Sequence, residues 1–108
     1  MSNEKLKQQV KRKLNITWED DETNKRVDEI IESGIPYLIH KLGITDATFD
    51  FSVASTENTL FLAYCLYEWN HAVNEFEENY SKMIAQVRAI NAVNEYLQEK
   101  EESESEQI

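Results

Sequence analysis

Apolar residues recur along this chain at helical spacing, and the polar positions between the runs mark where the helices stop. Leu6, Val10 and Leu14 stand at i, i+4 and i+8 among charged residues, which predicts a short amphipathic helix over residues 3–14. Asn15, Ile16 and Thr17 interrupt it. Thr17 precedes the three acids of "WEDD" and reads as an N-cap, with those acids complementing the dipole of a second helix over residues 18–42. The apolar stripe of that helix is Val27, Ile31, Gly34/Ile35, Leu38 and Leu42. Pro36 removes a backbone donor and restricts Ile35, so a kink or short break is expected near residues 34–36. Gly43, just past Leu42 and with Lys41 in the last turn, marks the C-terminus.

Residues 44–56, "ITDATFDFSVAST", lack helical periodicity. Phe49, Phe51 and Val53 alternate with polar residues, as in a short extended segment, and so long a loop in a small domain is expected to contact another chain. Ser55 or Thr56 then caps a third helix. Its block "LFLAYCLYEW" has Glu68 as its one strongly polar residue, so it is expected at the centre, enclosed by the other helices. The stripe continues through Val73, Phe76, Tyr80, Met83/Ile84, Val87, Ile90, Val93 and Leu97, with a bend or turn expected at residues 79–81. The fold class expected is all-α: a small bundle of about four helices, with a long loop between the second and third. Residues 1–97 form the helical domain; residues 98–108 are an acidic, flexible tail, frayed when free.

Composition supports the helical reading, since 108 residues contain only two Gly and one Pro. No apolar run approaches the ~18 residues that span a bilayer, and "MSNEKLKQQVKRK" lacks the apolar core of a signal peptide. A lone cysteine, Cys65, makes no internal disulfide, and the expectation is a soluble intracellular protein. The net charge of −10 disfavours nonspecific binding of duplex DNA over the whole surface. That charge is polarised. Residues 1–13 hold Lys5, Lys7, Lys11, Arg12 and Lys13 against one acid; residues 95–108 hold six acids against Lys100. Opposite charge at opposite ends favours head-to-tail association of copies.

Candidate chemistry is thin. Glu68-x-x-His71 matches half of a di-iron carboxylate signature, but His40 has Pro36 and Tyr37 where its partner carboxylate should lie, so no metal or cofactor is expected. Cys65 reads as a buried, inert thiol. Asp20, Asp21 and Glu22 lack the spacing and central Gly of a calcium loop. No Gly-rich phosphate loop or recognisable Ser/His/Asp arrangement occurs, and the expectation is a protein that is not an enzyme.

The order of features, "VKRKLNIT", "WEDDETNKRVDEII", "ESGIPYLIHKLG", a loop with "DFS", then "LFLAYCLYEWNHAVNEFEENYSKMIAQVR", resembles the head-tail connector family, the neck adaptors of tailed phages and prophages of Gram-positive bacteria. The resemblance runs over roughly residues 3–92 and does not include the acidic tail. It implies an all-α structural protein of the virion neck, present in the host cytoplasm during assembly. Copies would form a ring under the portal protein, extend the DNA channel without binding DNA specifically, and dock the next neck or head-completion protein. The isolated chain would be monomeric where assembly requires the portal as template. The C-terminal segment, here residues 96–108, would engage the portal.

Residues expected at assembly interfaces are Lys5, Lys11 and Arg12 of the first helix, Phe49 and Phe51 of the loop, and Tyr96, Leu97 and Ile108 of the C-terminal end. The alternative is a small acidic interaction protein that binds a basic, DNA-binding partner, motivated by the net charge alone.

Overall fold

The computed structural model describes residues 4–46 and 48–106. These form five helices, α1 Glu4–Lys13, α2 Asp21–Lys41, α3 Thr56–Trp69, α4 Val73–Asn79 and α5 Ser81–Glu106, with no strand among the described residues. The all-α expectation therefore holds, while the count of about four rises to five. The additional break falls at residues 70–72, where the sequence pattern ran on from the third helix. The turn expected at residues 79–81 is present, with Tyr80 between α4 and α5.

Three helices end by one device. Asn15, Gly43 and His71 each take a left-handed backbone, with φ of 59°, 65° and 58°. After each, two amides fold back onto the last turn: Asn15 and Ile16 donate to Arg12 and Lys11, Gly43 and Ile44 to His40 and Ile39, His71 and Ala72 to Glu68 and Tyr67. This paired pattern satisfies carbonyls that a helix end leaves without partners and turns the chain sharply.

The N-terminus of α2 corrects the sequence reading. Asp20, not Thr17, is the cap: its carboxylate accepts from the Thr23 backbone N–H at 3.0 Å and from the Thr23 hydroxyl at 2.9 Å. Trp18 stays outside the helix and is half exposed, its Nε1 donating to Thr23 Oγ1 at 3.1 Å. Ser55 caps α3 as expected, accepting from Asn58 N–H at 3.0 Å. Pro36 does not break α2, which runs unbroken from Asp21 to Lys41. Its ring lies on the exposed side of the helix, as does Glu32, whose carbonyl it leaves without a backbone donor.

The aromatic block lies inside. α3 packs against α1, α2, α4 and α5, and Leu60, Phe61, Ala63, Tyr64 and Cys65 are buried. Rings continue the core outward: Phe51 stacks on Phe61 at 4.9 Å, Tyr37 on Tyr64 at 5.0 Å, and Phe76 meets Tyr64 edge-on at 5.8 Å. Gly34 makes the α2–α3 contact possible, since a Cβ there would stand 2.7 Å from Tyr64 Cε2.

The segment between α2 and α3 is not extended. Asp46 accepts from the backbone and hydroxyl of Thr48, and Asp50 does the same for Ser52, giving two successive side-chain turns. Phe51, the middle residue of the second turn, is driven into the core, 1% exposed. Asn58 ties its carbonyl down at 2.7 Å and Gln9 of α1 ties down that of Ser52 at 2.9 Å. Phe51 is therefore not an assembly contact but a core residue, because a ring enclosed on every side has no face to offer a partner.

α5 is held by its first half alone. Tyr80, Met83, Ile84 and Val87 pack on the core. Arg88 donates to the His40 and Lys41 carbonyls at 3.0 and 3.2 Å, and Asn91 to that of Leu42 at 2.8 Å, so α5 closes the end of α2. From residue 92 to 100 every side chain is exposed. The molecule is accordingly long, 59 × 32 × 19 Å.

Three measurements check this packing. Gly34→Ala gains up to about 1 kcal/mol of helix propensity, but it collides with a ring fixed by three aromatic neighbours, a strain of about 1–3 kcal/mol. The net result expected in urea melts is a lower midpoint. Phe51→Ala is expected to cost about 3–5 kcal/mol; an unchanged midpoint would show the loop to be free of the core. Glu77 accepts from Tyr37 Oη at 2.5 Å and pairs with Lys41 at 3.3 Å, which holds its carboxyl below the ordinary value of 4.5, the Tyr37 bond contributing most. A depressed carboxylate stabilises fully above its unfolded value and ceases to as pH falls through the folded one. Glu77→Gln should therefore lose less stability than the parent chain between about pH 5 and pH 3.

Candidate assembly surfaces

Helix α1 buries Leu6 and Val10 and sorts its bases by face. On the flanks, Lys7 pairs with Asp28 of α2 at 2.9 Å and Lys11 with Glu19 at 3.4 Å. Lys11, expected at an interface, has a side chain only 11% exposed and is spent within the chain. Lys5, Gln8 and Arg12 stand on the outer face, and Lys13 is exposed at the helix end. The Lys5 charge acts on Asp50 of the neighbouring loop, while no ion pair joins Arg12 or Lys13 to any other described residue. Val53, 55% exposed, follows the Ser52 carbonyl bonded to Gln9, so this apolar side chain lies beside the basic helix.

On α5 the pattern is the reverse. Ile90, Val93, Tyr96 and Leu97 are 60%, 56%, 64% and 49% exposed. Tyr96 was expected at the surface, and Leu97 both there and in the apolar stripe. Ile90, Val93 and Leu97 do not continue the packed stripe, because the packed face of α5 runs Tyr80, Ile84, Val87, Asn91 and turns polar at Asn91. Met83, Ile90 and Leu97 recur every seven residues, with Val93 between the last two, a line beside the packed face rather than on it, and from residue 92 to 100 no face of the helix is covered.

Phe49 is half buried, meeting Phe51 at 4.9 Å, and with Ile44 it walls a hollow whose other side is Asn91, Asn94 and Glu95 of α5. The structure thus brings Phe49 to the flank of α5, away from the face carrying Ile90 and Leu97. Ile108 lies outside the described residues.

The Glu68/His71 corner is organised by a residue that the sequence did not single out. Arg26 of α2 lies over the Trp69 ring at 4.2 Å, donates to the Trp69 carbonyl at 2.6 Å and approaches His71 Nε2 at 3.3 Å. Among the described residues no three His, Cys, Asp or Glu side chains are grouped as metal ligands would be. Cys65 is fully buried, and burial, with the nearby Glu68 charge, pushes its thiol far above the usual range. At neutral pH it carries no thiolate to react.

No described helix is long and apolar enough to cross a membrane. Comparison with family models, curated proteins and solved structures finds no match to this chain.

Proposed function

We propose that this chain is a non-enzymatic structural adaptor of the head-tail connector kind, whose copies join into a ring beneath a phage portal, continue the DNA channel and receive the next neck protein. The observation that carries the reading is the apolar line Ile90, Val93, Leu97 on a helix whose distal half leaves the body of the molecule. A narrow seam of this period is what one helix presents to another protein surface, and α5 points it away from its own core.

Size agrees with assembly on a template. Three side chains of this kind, each about half exposed, fall well short of the about 800 Å² that a stable interface takes from each partner. A single contact of that extent is weak, and a closed ring repeats it around a circle. The acidic surface suits a channel that must pass DNA without gripping it, since phosphate meets like charge. The basic-partner alternative rests on net charge and draws nothing specific from α5.

The test is incubation of the purified chain with particles bearing the portal of the same phage, followed by co-sedimentation and negative-stain imaging. The parent chain should sediment with the particles and lengthen the neck. Val93→Asp, on an exposed position, should change stability by no more than about 0.5 kcal/mol yet fail to join. A parent chain that never joins portal particles overturns the reading.

A further inference from the structure

We propose that the distal half of α5 seats on the outer face of α1 of a neighbouring copy, with the Ile90–Val93–Leu97 line resting on Val53 and the aliphatic stems of Lys5 and Arg12. This names the two halves of the contact and rests on the reading of the chain as a ring-forming adaptor.

Charge selects the pair. Beyond Leu97 the sequence continues as Glu99, Lys100, Glu101, Glu102, Glu104 and Glu106, and α5 runs to Glu106 with its dipole negative at that end. The helix thus opposes its own dipole and lacks positive charge there. α1 presents the complement: Lys5, Arg12 and Lys13 exposed, Arg12 and Lys13 with no ion pair to another described residue.

Pairing α5 with a second α5 is less well matched. Side by side in parallel, the acid runs coincide. In the antiparallel sense, the acid run of one copy reaches the start of the other α5, where Lys82 and Arg88 stand beside Glu75, Glu77 and Glu78, a mixed surface where α1 offers a basic one. The apolar needs also match. Val53 is exposed beside α1, and long basic side chains cover apolar surface with their stems while their heads meet carboxylates. Because α5 and α1 are different surfaces, each copy gives one and receives the other, as a ring requires.

The test uses two single-cysteine additions to the full chain, Val93→Cys on α5 and Gln8→Cys on the exposed face of α1. Cys65, fully buried, does not compete. The two variants are mixed and treated with a short bismaleimide, once at high concentration in solution and once bound to portal particles. The mixed product should exceed the Val93→Cys self-product. Lys5→Glu with Arg12→Glu should lower it about tenfold. Predominance of the self-product, or no mixed product in either setting, overturns the proposal. Rings on portals without the mixed product sink this contact and leave the adaptor reading standing; the mixed product without portal binding does the opposite.

Discussion

The fold turns on the place where α2 lies directly against the ring of Tyr64. Only a residue without Cβ fits there, and Gly34 supplies it. Tyr64 is in turn held by Tyr37, Phe61 and Phe76, so helices α2, α3 and α4 are fixed by contacts to one side chain. With that junction closed, the aromatic block is consumed as packing. Phe51 can then complete the core from the loop, and α5 can approach near enough for Arg88 and Asn91 to take the last carbonyls of α2. The inward residues serve the architecture. The exposed bases Lys5, Arg12 and Lys13 lie on α1, and the exposed apolar residues Ile90, Val93 and Leu97 on α5.

Much of this was legible in residue order. Gly43 announces its left-handed turn because glycine pays no steric penalty there. Ser55 announces α3. Asn15 and His71 announce less, since a side chain can occupy the left-handed region only at a cost of about 1 kcal/mol and does so because the fold demands the turn. The break at His71 was therefore hidden inside a run that looked continuous. Thr17 was mistaken for a cap because Asp20 lay among acids that all suit a first turn, and only the Thr23 bonds distinguish it.

The loop and α5 show why short patterns mislead. Phe49, Phe51 and Val53 alternate as in a strand, but Asp46 and Asp50 each capture the residue two ahead, and two such turns re-aim the chain so that Phe51 enters and Val53 leaves. In α5 two apolar lines lie side by side: Ile84 and Val87 face in, whereas Ile90 stands beside that face and is exposed. The apolar identity of these residues was visible, but their sidedness came only with the packing of Arg88 and Asn91.

The distal half of α5 also carries an energetic tension. A helix of this length without tertiary contacts is marginal in water, and α5 adds acids where its dipole is negative. In the contact proposed above, docking on a basic surface removes both penalties at once: it covers Ile90, Val93 and Leu97 and supplies positive charge to the C-terminal end. Binding and helix stabilisation are then a single event, so the stability of the last turns depends on the partner. Salt acts against that event by screening, whereas the core, built from rings and aliphatics, responds little. Rising ionic strength should therefore separate copies joined by the proposed contact well before it disturbs the junction of Gly34 and Tyr64, because the two are held by different forces.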